Sequence, residues 1–223
     1  MDDLVPADDA SPAHWVVDGL RGFAESVLSV VPAGFEAYGR VFHPAARAEE
    51  DVRWSEAAAA HGTRAHPGMQ WERITRDSGS DAWDAEPAMG SLPIETALVL
   101  ADVLRRHTAT PDRCWFAVWE GFGALREIVG QAPSFQIPGR RLHLLGGPIE
   151  AVERSCCGRY YQSANLWWPD DRAWCVATEI DFRSTYLGGS ARCMAEVVAD
   201  PRLEATAVSP AQGVTLASDT VNP

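Results

Sequence analysis

Residues 134–182, SFQIPGRRLHLLGGPIEAVERSCCGRYYQSANLWWPDDRAWCVATEIDF, decide the fold class of this 223-residue chain. They contain short apolar runs that are mostly separated by Gly, Pro or Asp turns, a pattern typical of consecutive antiparallel strands. The runs are residues 134–137, 141–145, 149–152, 164–168 and 174–182. Regular alternation of strand and helix is missing here, which argues against a doubly wound parallel sheet. We therefore predict an α+β fold: a single domain with a mostly antiparallel sheet and flanking helices.

The flanking regions carry helical patterns. Apolar residues between Trp15 and Val31 recur mostly at spacings of three and four, which predicts an amphipathic helix. Pro93 in a first turn and Glu95 near the positive end of the dipole predict a helix that continues to His107. Further helices are predicted at 51–60 and 191–199, and further strands at 35–42 and 114–120.

The chain length favours one domain, which we predict to span residues 14–205. Residues 1–13 hold four Asp and two Pro without apolar periodicity, so they are predicted to be a disordered acidic tail. Residues 206–223 are small and polar and are predicted to be a second disordered tail. The polar run at 76–90 predicts a long loop.

Composition excludes several kinds of chemistry. All 19 Lys and Arg residues are Arg, so Schiff-base lysines and phosphate-binding P-loop lysines are excluded. The net charge of −12 argues against a nucleic-acid or anionic-membrane surface and permits a protein partner with a basic surface. The histidines are scattered and no cysteine pair has metal-ligand spacing, so we expect neither a metal nor a cofactor.

The sequence carries few signals of its cellular compartment. The acidic start Met1-Asp2-Asp3 is unlike a secretory signal, and no apolar run approaches the length of a membrane span. The five cysteines are odd in number and fit reduced thiols. We therefore expect a cytoplasmic protein.

A cluster of aromatic and acidic residues surrounds the predicted hairpin at 168–174. Trp167 and Trp168 are adjacent in a strand, so they point to opposite faces, and one is predicted to lie in the core while the other reaches a surface or groove. With Asp170 and Asp171 in the turn, the exposed indole would contribute to an aromatic and acidic binding surface that extends to Tyr186. Packing of both indoles in the core is the alternative.

Glu179 and Asp181 lie two apart in a predicted strand, so their carboxylates share one face. Such a pair can divide acid and base roles or hold a hard cation. Alternatively, the strand end reaches solvent, or Arg172 and Arg183 neutralise the pair. Arg140 and Arg141, with Arg159 and Arg183, are candidates for a small anion pocket beside the last helix.

Residues 141–151, 165–174 and 178–190 together resemble a family of proteins of high-GC bacteria that has no assigned activity. The layout of hairpins followed by a Gly-Gly-Ser helix start is similar to that of immunity proteins of the SUKH superfamily. This likeness implies a binding role and carries no catalytic residues.

Two functions follow as expectations. The first is a non-enzymatic binding protein that recognises a basic protein partner, such as a toxin, through the surface from Trp167 to Tyr186. The second is a small-molecule enzyme that uses Glu179 and Asp181 with Arg183 in a cleft. A deep, closed pocket containing both carboxylates would favour the enzyme, and a flat aromatic and acidic face would favour the binding protein.

Overall fold

A computed structural model describes residues 4–75 and 83–222. Its helices are α1 (His14–Gly19), α2 (Trp54–Ala60), α3 (Trp71–Ile74), α4 (Ile94–Leu104), α5 (Glu127–Gly130) and α6 (Ala191–Ala199). Its strands are β1 (Val5–Pro6), β2 (Ala37–Phe42), β3 (Ala45–Arg47), β4 (Glu50–Val52), β5 (Cys114–Trp119), β6 (Ser134–Ile137), β7 (Arg140–Gly147), β8 (Leu166–Pro169), β9 (Trp174–Ala177), β10 (Ser184–Gly189) and β11 (Ala205–Val208). The predicted α+β class is confirmed.

Within the described residues, nine strands form one antiparallel sheet. Its order is β1-β7-β5-β8-β9-β10-β2-β11, and β6 pairs with β7 on the same side as β1. Hairpins bring together β6 and β7, β8 and β9, and β9 and β10. In contrast, β2 lies between two strands from the far end of the chain, with Arg40 opposite both Tyr186 and Thr206. The separate pair β3-β4 lies outside this sheet.

The sheet is covered on both faces. Helices α4 and α6 pack on one face, where Trp167 belongs to the apolar cluster. Helix α1 and the segment 27–31 cover the other face, where Trp168 belongs to a second cluster. Burying the apolar side chains of both faces against helices and connecting segments is the main favourable contribution to this fold.

A third apolar cluster lies beside the end of β2 and is formed by β3, β4, α2 and α3. The tilted rings of Phe42, Trp54 and Trp71 pack in sequence within it, with ring centroids 4.8 and 5.5 Å apart. Glu204 accepts hydrogen bonds from the first two amides of α2, Trp54 and Ser55. This carboxylate therefore joins the third cluster to the segment that precedes β11.

Three predicted elements differ from those in the structure. The predicted helix from Trp15 to Val31 ends at Gly19, because Gly22 and Ala24 adopt left-handed backbone angles that a helix cannot contain. Residues 149–153 form a 3₁₀ turn rather than a strand. The strand predicted over 174–182 ends at Ala177, and a further strand begins at Ser184.

The predicted tails also differ from the structure where it describes them. Strand β1 pairs with β7, and Leu4 is buried in the core. Strand β11 pairs with β2, and Asp219 is buried while it accepts hydrogen bonds from the backbone of Gln70 and Asn222. Residues 1–3 and 223, and residues 76–82 of the predicted loop 76–90, lie outside the described residues.

All five cysteines are free thiols buried in the protein. Burial raises the pKa of Cys114, Cys156 and Cys193 to about 12, because the thiolate loses its hydration. These thiols are therefore protonated and unreactive at neutral pH. Among the described residues, no helix is both long enough and apolar enough to cross a membrane.

Candidate functional site

The predicted aromatic surface is not present, which corrects the interpretation of Trp167, Trp168 and Tyr186. All three side chains are at most 2% exposed. The strand alternation is as predicted, since the two indoles point to opposite faces. Both faces, however, are covered by other segments, so neither indole reaches solvent.

Asp170 and Asp171 lie in the turn between β8 and β9 and accept local hydrogen bonds. Asp170 accepts one from the indole N–H of Trp115 at 3.1 Å. Asp171 accepts hydrogen bonds from the hydroxyl of Thr108 and the amide of Ala109. The two carboxylates thus hold neighbouring segments to the hairpin.

Glu179 and Asp181 lie in the connection from β9 to β10 rather than within a strand. Arg140 joins them: its Nη2 lies 2.9 Å from Oε1 of Glu179 and 3.0 Å from Oδ2 of Asp181. Arg183, expected beside this pair, instead binds Glu72 and Glu86. An arginine pairs with the two carboxylates as one alternative expected, but it is Arg140 rather than Arg172 or Arg183.

These three charged residues lie at the mouth of a pocket at one end of the sheet, which we call the Arg140 pocket. Its cavity volume is about 80 Å³. The pocket opens to solvent beside Asp181, whose side chain is 70% exposed. Its walls are formed by Phe23, Ala24, Ser29, Val30, Trp119, Ile137, Pro138, Leu142, Asn165, Leu166, Ala177, Thr178, Ile180 and Phe182.

A tight turn positions Arg140. Pro138 and Gly139 connect β6 to β7, and Gly139 has a φ of +72°, which glycine adopts without strain. A Cβ atom on Gly139 would lie 2.6 Å from Cε2 of Phe23. Glycine is therefore required both for the turn and for the close approach of the phenyl ring.

Phe23 lies in the loop after α1, which is closed by a hydrogen bond from the Arg21 amide to the Leu28 carbonyl. The C-terminal segment secures the base of this loop, because the Val27 amide donates to the carbonyl of Gln212. Phe23 itself is 52% exposed. The phenyl ring is thus held over the pocket by backbone hydrogen bonds rather than by burial.

Trp119 forms the opposite wall at the end of β5. Its indole packs edge-on against Phe122, with ring centroids 5.3 Å apart. A Cβ atom on Gly121 would come within 2.2 Å of the indole, so this turn admits only glycine. The guanidinium of Arg140 lies 5.7 Å from the ring centroids of both Phe23 and Trp119. The cation is therefore in contact range of two aromatic faces.

The carboxylates of the pocket are already engaged. Oε1 of Glu179 accepts from Arg140, and Oε2 accepts from the backbone amide of Asp181 at 2.7 Å. A carboxylate with both oxygens bonded is a poor general base, because accepting a proton would cost these interactions. The arrangement therefore favours binding over proton transfer.

A chain of buried hydrogen bonds runs from the pocket wall into the core. The hydroxyl of Thr178 lies 2.7 Å from that of Thr185, which lies 2.9 Å from Nε2 of His43. Nδ1 of His43 donates to the carbonyl of Ala88. Burial, together with a smaller contribution from the nearby charge of Arg40, lowers the pKa of His43 to about 4. The imidazole is therefore neutral at pH 7.

Arg40, on the same face of the sheet as Tyr186, forms a second arginine site, which we call the Arg40 centre. It is 1% exposed and donates to Ser184 Oγ and to the carbonyls of Pro67 and Met69. Its guanidinium lies 4.5 Å from the ring centroid of Phe42 and 5.4 Å from those of Trp54 and Tyr186. Burial lowers the pKa of Arg40 below its ordinary value.

Sequence reasoning named Glu179 and Asp181 but missed Phe23, Trp119 and Phe182 as pocket walls. The Pro138-Gly139 turn was the available signal for the position of Arg140. In the described part of the chain, no group of three or more His, Cys, Asp or Glu residues is placed to hold a metal ion.

Comparisons of the chain with protein-family models, with curated proteins and with solved structures found no match. The resemblance to SUKH immunity proteins therefore stays a prediction.

Proposed function

We propose that the protein is a non-enzymatic binding protein whose ligand is a small molecule held in the Arg140 pocket. The observation that carries this proposal is the pocket itself: an apolar and aromatic cavity with three charged side chains at its mouth. Ligand sites in proteins are typically of this kind, because apolar walls supply affinity and a few polar groups fix orientation.

The polar groups of the pocket support binding rather than catalysis. No His or Cys is among the residues that line it. The hydroxyl of Ser29 donates to the carbonyl of Ser26 at 2.6 Å, so it is not paired with a base. Glu179 is bound through both oxygens. A paired-carboxylate enzyme is thus less well supported than a binding site.

A protein partner is also less well supported than a small molecule. The aromatic residues that were expected to anchor a partner are buried, so that hypothesis keeps the net charge of −12 and the SUKH-like layout but loses its apolar anchors. Charge complementarity steers association, but an interface also needs exposed apolar anchors. The pocket, in contrast, has walls formed by identified apolar and aromatic side chains.

A pair of variants in β6 tests the proposal. Ile137 lines the pocket, whereas the neighbouring Gln136 is exposed and points away from it. Ile137→Trp is expected to fill the cavity, and Gln136→Trp is the matched control for adding an indole to the same strand. Each protein is first shown by its thermal transition to be folded.

Indole and benzyl alcohol serve as neutral aromatic probes, and binding is measured by ligand-observed NMR. We expect saturation transfer to both probes with the unsubstituted protein and with Gln136→Trp, and its loss with Ile137→Trp. Binding that persists in a folded Ile137→Trp variant would place the probes elsewhere. Absence of binding to the unsubstituted protein would contradict the proposal.

A further inference from the structure

The charges at the mouth of the Arg140 pocket do not balance. Of the residues that line it, one is cationic, Arg140, and two are anionic, Glu179 and Asp181. Arg140 and Glu179 are both less than one-fifth exposed and are joined by two contacts, Nε and Nη2 to the same Oε1. They form a neutral pair, which leaves the negative charge of Asp181 uncompensated.

Asp181 is also the carboxylate best placed to exchange its partner. Its side chain is 70% exposed, and its contact with Arg140 uses Oδ2. An ion pair with one largely exposed partner contributes little stability, because the Asp181 carboxylate is well solvated without it. An incoming cation can therefore replace or share this contact at small cost.

The aromatic walls already contact one cation, the guanidinium of Arg140. The faces of Phe23 and Trp119 both lie within 6 Å of the Arg140 guanidinium, which is the range of a cation–π interaction. Phe182 adds a third ring to the lining. At the pocket mouth, a positive group and an anion would meet the same three groups, Arg140, Glu179 and Asp181, so the net charge of −1 favours the positive group.

We infer that the Arg140 pocket selects an organic cation: a flat, apolar or aromatic body that bears a protonated amine or amidine. The body lies against Phe23, Trp119 and Phe182, and the charged nitrogen pairs with Asp181. The net charge of −12 acts in the same direction, because it raises the local concentration of cations around the protein. This inference rests on the proposed function, since it names the ligand class of the same pocket.

Three probes of nearly equal size separate charge from shape: benzylammonium, benzyl alcohol and benzoate. Their affinities are measured by NMR titration at low ionic strength and again in about 0.5 M salt, which screens interactions between exposed charges. We expect benzylammonium to bind about fivefold more tightly than benzyl alcohol, and benzoate to bind most weakly. High salt should reduce the difference.

Asp181→Asn tests the assigned carboxylate, and Asp112→Asn is the matched control. Asp112 is 85% exposed and lies outside the pocket, so its substitution changes the net charge equally. Asp181→Asn should weaken benzylammonium binding about fivefold and leave benzyl alcohol unchanged. Asp112→Asn should leave the binding of both probes unchanged.

The outcomes distinguish the two proposals. If all three probes bind equally, if benzoate binds most tightly, or if Asp181→Asn has no effect, the inference is wrong while the pocket remains a ligand site. If none of the probes binds the folded protein, both proposals are wrong.

Discussion

The Arg140 pocket and the Arg40 centre place the same chemical group in opposite surroundings. Both guanidinium groups lie on aromatic rings. Arg140 is paired with two carboxylates at an open mouth, whereas Arg40 is fully enclosed and donates to a hydroxyl and two carbonyls. Arg40 holds together segments that meet at β2. Of the two arginines, only Arg140 has a largely exposed carboxylate partner, as the proposed binding site requires.

The largest difference is expected in stability. Arg40→Ala should lower the free energy of unfolding by about 3–5 kcal/mol, because it leaves a cavity and unpaired acceptors inside the core. Arg140→Ala should cost about 1 kcal/mol, because water can replace its contacts at the pocket mouth. Urea denaturation measures both changes. Equal losses in the two variants would contradict the division into a structural and a binding arginine.

The second difference is in the pH dependence of the free energy of unfolding. It should come from His43, which is buried close to the charge of Arg40. Below pH 6.5 the unfolded chain protonates this residue, while the folded protein does not until pH about 4. The free energy of unfolding should therefore fall by roughly 3 kcal/mol as pH decreases through that interval.

Urea titrations at several pH values measure this slope. A His43→Gln variant should lose the contribution, even though it is less stable overall. His14→Gln, at an exposed histidine, should retain it. A slope that is the same in His43→Gln and in the unsubstituted protein would show that other groups are responsible.

A smaller effect is expected at the turn beside Arg140. Gly139→Ala and Gly62→Ala both place a Cβ on a left-handed residue, with φ of +72° and +66°, and each should cost about 1–2 kcal/mol. At Gly62 the new atom meets nothing within 4 Å, but at Gly139 it meets the Phe23 ring. Only Gly139→Ala should therefore weaken the binding of indole, as measured by NMR titration. Equal binding in both variants would show that Phe23 is not part of the site.

The smallest effects are expected at the two carboxylates of the pocket. Glu179→Gln should cost about 1 kcal/mol, because this side chain is only 17% exposed and accepts from both Arg140 and a backbone amide. Asp181→Asn should cost less than about 0.5 kcal/mol, because Asp181 is largely solvated. Urea titrations at low and high salt measure the free energy of unfolding of both variants. A larger loss for Asp181→Asn would reverse the roles assigned to the two residues.

Local patterns predicted much of the fold. The hairpin between β8 and β9 follows from its Pro-Asp-Asp turn, and α6 begins after Ser190, whose hydroxyl accepts from the amide of Cys193. Strand β10 was missed because its glycines suggested a turn before that helix. A Cβ on Gly188 would come within 2.3 Å of the Phe35 ring, so this glycine permits close packing on a strand.

The candidate site was only partly predictable, because its contacts are distant in sequence. Glu179 and Asp181 are two apart and were named together, but the Arg140 that joins them comes from another hairpin, 39 residues before Glu179. Nor does periodicity show which face a neighbouring segment will cover. That is why one of Trp167 and Trp168 was given a surface role although both are buried, Trp168 beneath α1 and its following loop.

The position of β2 has a consequence for how the protein is made. Arg40 meets Ser184, which is 144 residues later in the chain. At ordinary translation rates these partners are synthesised roughly 7–30 s after β2. Until these partners are synthesised, both edges of β2 lack a neighbouring strand and its apolar surface is uncovered. Both features favour aggregation. Pairing of β2 with its neighbouring strands is thus a late folding step that joins residues distant in sequence. Dependence on chaperones during synthesis should therefore be greatest before residue 184 is made.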